Sequence, residues 1–222
     1  MTVFASLSPG LGSTSPATIV WARVMLPMSG IYTVDLSTTE VVDVTGPQTF
    51  TLDTLSLLCT KYRAYPEIGR TGVRLVGGQA GWRNASTVQQ YTNALASFIA
   101  SDTAITVGEA VPVVTDDEEI PSYFRSTDAA SQVLDDLFFA TQWWMQPSGV
   151  VTTAPRDTTP ITSGFQCMKV DGAVGRFMMG VDVVADWTPG RAVANSVVSG
   201  TIVRVTHYLS EDAVRTEILS VL

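Results

Sequence analysis

The chain has 222 residues, 45% of them hydrophobic and 15% charged, with 21 acidic against 13 basic side chains and a net charge of −8. That length and apolar content bury a full core in one large domain or two small ones, which argues against disorder, and the spread-out basic residues argue against duplex binding, which needs clustered Lys and Arg to displace counterions. The charged fraction lies well below the roughly 25% of an average soluble protein, so part of the surface is expected to be covered by partners, most simply by copies of the chain itself.

The opening stretch MTVFASLSPGLGSTSPATIV lacks the basic start and continuous apolar core of a signal peptide. No apolar run approaches the roughly 18 residues of a membrane span, so the protein is expected in the cytosol or in a particle assembled there. Residues 17–27, ATIVWARVMLP, alternate as a strand, with Val20, Ala22, Val24 and Leu26 on one face and Ile19, Trp21, Arg23 and Met25 on the other. A turn at 28–30 leads into a second strand carrying Tyr32, Val34 and Leu36 on one side. Residues 49–62 and 72–78 read as further strands, which makes 1–80 an antiparallel β module.

The period then changes. Val88, Tyr91, Leu95, Phe98 and Ile99 recur at helical spacing, which predicts a helix over 86–102. An acidic loop follows at 115–121, and then a second helix with Ser126 or Thr127 as N-cap. Its apolar stripe is Ala130, Val133, Leu134, Leu137 and Phe138, and Asp128, Asp135 and Asp136 form its polar side. Residues 143–156 read as a hairpin turning at Pro147–Gly149, which closes an α+β insert over 81–155. From 156 to 222 the chain returns to β: Phe177, Met179, Val181 and Val183 share one face, and 201–209 with 213–222 form a terminal hairpin turning at Ser210–Asp212. The expected fold class is mainly β (β+α), a β module on each side of an α+β insert.

Five groups of residues invite a chemical reading. RLVGGQAGWRN, residues 74–84, ends a strand in a glycine cluster, but its GGxxG spacing is neither GxGxxG nor GxxxxGK[ST], so Gly77, Gly78 and Gly81 are read as turning the chain. His207 is the lone histidine and no GxSxG surrounds any serine, so it is read as a buried strand histidine rather than the base of a hydrolase. Asp116, Asp117, Glu118 and Glu119 lack the alternate spacing and central glycine of a calcium loop and are read as solvated. Trp143 and Trp144 suggest a sugar platform, but adjacent strand residues point to opposite faces, so at least one is expected to be buried. Cys59 and Cys167 belong to no CxxC and are read as reduced thiols. No catalytic, cofactor-binding or metal-ligating residue is assigned, and no cofactor is expected.

The order of segments carries a resemblance. ARVMLPMSGIYTVDL resembles the opening of bacteriophage tail and baseplate hub proteins of Mu-like and T4-like phages. RLVGGQAGWR followed by YTNALASFIASD is similar to their passage from a first barrel into an inserted domain. AASQVLDDLFFATQWWMQPSGVV looks like the helix and hairpin that follow, and TIVRVTHYLSEDAVRTEI resembles the closing hairpin of their second barrel. The resemblance implies two tail-tube-like β-barrel modules, at 1–80 and 156–222, with the α+β insert at 81–155 between them. It further implies a homotrimeric ring in the virion that joins the hexameric tail tube to a trimeric spike or tail-tip protein, contacts other baseplate proteins and lets genomic DNA pass without specific binding. A distal tail or terminator protein of the same tube-like fold, hexameric with one barrel per chain, is the alternative it leaves. A carbohydrate-binding β module using Trp144 and a hydrolase using His207 stand as alternatives of other classes.

Overall fold

The computed structural model describes residues 5–8, 18–39, 45–194, 198–210 and 213–221. The chain runs through β1 (Ala5–Ser8), β2 (Ile19–Pro27), β3 (Thr33–Thr38), β4 (Pro47–Leu52), β5 (Leu55–Glu67) and β6 (Arg70–Gly77). A mixed segment follows, with β7 (Gln89–Leu95), α1 (Ala96–Val107), β8 (Glu119–Arg125), α2 (Ala130–Leu137), β9 (Trp144–Met145) and β10 (Val151–Thr152). The chain closes with β11 (Phe165–Asp171), β12 (Arg176–Val181), β13 (Ala192–Ala194), β14 (Ser199–Ser210) and β15 (Ala213–Val221). The fold is mainly β. The tip of the predicted terminal hairpin, Glu211 and Asp212, lies outside the described residues.

Alternation in the sequence sets the faces of the strands. In β2 the predicted apolar face supplies Ala22, Val24 and Leu26 to the interior, and β3 adds Val34 and Leu36 beside them. Complete burial of aliphatic side chains such as Val24, Leu36 and Leu75 stabilises the fold by about 1.5–3 kcal/mol each.

These strands form one sheet of eleven strands, in the order β1-β4-β5-β6-β3-β2-β14-β15-β12-β11, with β13 beside β14. The two β regions are joined by the ladder between β2 and β14, where Leu26 faces Val205, Val24 faces His207 and Ala22 faces Leu209. Val24, Phe50 and Leu75 therefore share one apolar cluster with Met179, Val205 and Ile218, and the mixed segment adds Trp82, Ala100 and Leu134 to it. Among the described residues the path stays open, with β1 and β11 at its ends paired on one side only.

The helix expected over 86–102 is corrected. Residues 89–95 are extended and pair with β8, placing Tyr91 opposite Tyr123 and Leu95 opposite Glu119; α1 begins only at Ala96. The pairing passes from Thr92–Ser122 to Ala94–Ile120 and skips Asn93, which has φ 48°, and Pro121, which cannot donate to the ladder. Of the expected stripe only Tyr91 and Ile99 are buried, because the helix packs its small side chains Ala96, Ala100 and Ala104 inward and leaves Phe98 exposed. The stripe expected for α2 is present, with Ala130, Val133, Leu134 and Phe138 buried and Leu137 half-buried. Its N-cap is Ala129 rather than Ser126 or Thr127, and the free Ala130 amide donates to the Asn84 carbonyl at 2.9 Å.

Candidate functional site

The glycine cluster lies where the sheet meets the mixed segment. Beyond Gly77 the chain turns through Gly78, with φ 71°, into a single 3-10 turn at Gly81–Arg83. A Cβ on Gly77 would lie 2.8 Å from the Tyr32 ring and one on Gly78 would lie 2.6 Å from the Glu109 carboxylate, so both positions need close approach. The loop amides converge on an anion that the chain itself supplies. The buried Glu109 carboxylate accepts from Gln79 N at 3.0 and 3.1 Å, from Gly81 N at 2.6 Å and from Trp82 N at 3.3 Å. Burial pushes the Glu109 carboxyl above its ordinary pKa, and the amides of Gln79, Trp82 and Gly81 pull it partly back.

Tyr32 passes from this loop to the adjoining hairpin. Its hydroxyl donates to the Leu58 carbonyl at 2.6 Å and lies 3.2 Å from the Pro147 carbonyl, and burial raises its pKa strongly. The hairpin β9–β10 turns at Pro147–Gly149 as expected, with Gly149 at φ 83° and Gln146 N donating to Val150 O at 2.8 Å. Trp143 is 3% exposed and donates from Nε1 to Asp135 at 2.9 Å. Trp144 is half-buried and donates to the Ala154 carbonyl at 2.8 Å.

The Arg156 guanidinium lies 4.0 Å from the centre of the Trp144 ring. It donates from Nη2 to the Pro27 carbonyl at 2.7 Å, and from Nη2 and Nε to the Met28 carbonyl at 3.0 and 3.2 Å. Burial lowers its pKa to about 10. Beside it is a cavity of about 130 Å³ walled by Leu26, Tyr32, Leu55, Leu57, Trp144 and Arg156. Sequence reasoning passed over Glu109 and Arg156, since neither stands in a motif and their partners are distant along the chain.

The other residues singled out from the sequence lie elsewhere. His207 is fully buried on β14 with Nδ1 2.9 Å from the Thr216 hydroxyl. Among the described residues its Nε2 has no hydrogen-bond partner, and the Trp187 backbone favours the charged form. Burial outweighs that contact and pushes its pKa down to about 3. The acidic run is not wholly solvated in role: Asp117 accepts from the Ser97 amide at 2.9 Å and from the Ser97 hydroxyl, capping α1 from a distance. Cys59 is buried and Cys167 half-buried, and both are free. Among the described residues no cluster of His, Cys, Asp or Glu is arranged to hold a metal ion, and no helix is long and apolar enough to cross a membrane.

No protein-family model matches the chain. No curated protein matches it either. Solved structures do match its fold. The prophage MuSo2 43 kDa tail protein from Shewanella oneidensis aligns with 98% of this chain and 97% of its own, with a TM-score of 0.68 and 11% identity. A tail protein from Neisseria meningitidis MC58 aligns with 100% of this chain and 97% of its own, with a TM-score of 0.66 and 11% identity. An E. coli component of the type VI secretion system, described as structurally similar to T4 bacteriophage tail proteins gp27 and gp5, aligns with 100% of this chain and 77% of its own. Its TM-score is 0.67 and its identity 11%. At these identities the likeness is one of fold, and the fold is that of phage tail proteins.

Proposed function

We propose that this protein is a structural component of a phage tail, a baseplate hub whose copies form a ring between tail tube and spike. The observation that carries this reading is the end-to-end likeness in fold to tail proteins. On this reading β1–β6 and β11–β15 act as two tube-like barrel modules at 1–80 and 156–222, coupled through the β2–β14 ladder, and residues 81–155 lie outside the ring. Three chains close the ring. Strands β1 and β11, each with one free edge among the described residues, supply a head-to-tail contact that closes when the rotation between copies permits. Exposed Met168, Val170 and Val174 on and next to β11 provide apolar surface for that contact.

The role is architectural, without catalysis. The net charge of −8 suits a conduit that repels DNA during passage. The neighbours in the virion are the tail tube protein, a spike or tail-tip protein and other baseplate proteins, and assembly takes place in the host cytoplasm. A second reading, a hexameric distal tail or terminator ring, draws on the single continuous sheet, which gives each chain one β unit rather than two. Immunoelectron microscopy of intact particles tests the reading. Antibody against the chain should label the distal end of the tail; particles that carry no label, with the protein absent from their composition, would overturn it.

A further inference from the structure

The cavity beside Trp144 joins an apolar enclosure to a cation that lacks a countercharge. Among the described residues no carboxylate forms an ion pair with Arg156. Its Nε and Nη2 are engaged by the Pro27 and Met28 carbonyls, and Nη1 makes no hydrogen bond among the described residues. Carbonyl dipoles and the Trp144 ring offset only part of what a guanidinium loses on leaving water. A structural tie between Arg156 and the end of β2 accounts for those three bonds. It does not account for the cavity next to them, walled by Leu26, Leu55 and Leu57.

Asp157 also lines the cavity, but its carboxylate accepts the Thr159 amide at 2.8 Å and lies 3.7 Å from Arg191, so its charge has partners of its own. A cationic ligand would meet Arg156, and a neutral one would leave the guanidinium as it is. At about 130 Å³ the space is close to that of an engineered cavity of ~150 Å³ that takes up benzene, so it admits one small apolar group.

We propose that this cavity binds a carboxylate carrying a short apolar chain, with the carboxylate on Arg156 and the chain among Leu26, Leu55 and Leu57. The same chemistry is presented by a free acid or by an acidic residue next to an apolar one in a protein segment. The proposal is argued from residues of a single chain and does not draw on the ring proposed above.

The test is titration of the full chain with hexanoate, hexanol and hexylamine, and with a blocked tetrapeptide holding an internal Leu-Glu pair, followed by calorimetry and by the Trp144 indole resonance. Hexanoate should bind saturably and about tenfold more tightly than hexanol through its charge-assisted hydrogen bond, with hexylamine weaker still. Arg156→Gln should abolish that preference. Because Arg156 also ties down Pro27 and Met28, Thr188→Phe, at another lining position, serves as a second variant that puts a ring into the cavity and leaves the Arg156 guanidinium unmutated. Tighter binding of the peptide than of hexanoate assigns the site to a protein segment, and the reverse assigns it to a free acid. Equal binding of hexanoate and hexanol, binding of neither hexanoate nor peptide, or hexanoate binding that survives Thr188→Phe in a folded protein overturns the proposal.

Discussion

Glu109 Oε1 lies 2.6 Å from the Gly81 amide nitrogen, and the same carboxylate also takes the amides of Gln79 and Trp82. The residue just beyond α1 thereby holds the loop that leaves the sheet after β6. A glycine-rich turn of this kind presents amides to an anion, and here the anion is built into the fold.

Removing that carboxylate should be costly. Glu109→Ala leaves the amides of buried Gly81 and Trp82, and that of exposed Gln79, without this acceptor and should lower stability by about 3 kcal/mol, read as a shifted urea midpoint with unchanged slope. Glu109→Gln keeps one acceptor oxygen and should cost less, about 1–2 kcal/mol. A loss below about 0.5 kcal/mol for Glu109→Ala would show that the loop is held by other contacts.

Asp35 gives a pH-dependent prediction. Cross-strand register places it between Arg23 on β2 and Arg74 on β6, with N–O distances of 2.6 and 2.5 Å. Burial pushes its pKa up, but the hydrogen bonds from Arg74 and Arg23 outweigh it and hold the carboxyl below its ordinary 3.8. The stabilisation is therefore present in full above pH 3.8 and is lost as pH falls below that value through the folded-state pKa. Both arginines are half-exposed, so the contribution is about 1 kcal/mol. Asp35→Asn should flatten the acid limb of a pH–stability curve below pH 3.8, and an unchanged limb would contradict the assignment.

His207 acts in a higher window. Its pKa falls from 6.5 to about 3, so between those values the unfolded chain binds a proton that the folded chain refuses. Stability should decline as pH drops through that range, by on the order of 2–4 kcal/mol in all. Replacing His207 with Leu and its partner Thr216 with Val should keep the fold and flatten the decline. A double variant with the parent's slope between pH 6.5 and 4 would assign the acid sensitivity to other groups.

Much of the β framework was legible because alternation is a local signal: Ala22, Val24 and Leu26 face inward as read, and so does the α2 stripe from Ala130 to Phe138. Tyr91 and Leu95 misled because they keep helical spacing with Ile99, whereas pairing with β8, a tertiary effect, makes 89–95 a strand. The histidine was placed correctly inside, and Trp143 and Trp144 divide between core and cavity wall. Glu109, Arg156 and the capping Asp117 were not legible, since each acts on backbone groups brought near only by folding. The β2–β14 ladder joins the two β regions for the same reason, as no local pattern states which strand pairs with which.

The most direct test of the ring is the mass of the purified protein by light scattering, with negative-stain images of the same sample. A trimer seen as an open ring is the predicted result. A compact monomer that stays monomeric when tube and spike proteins are added would contradict it, and a hexamer would replace the hub with a distal tail or terminator ring.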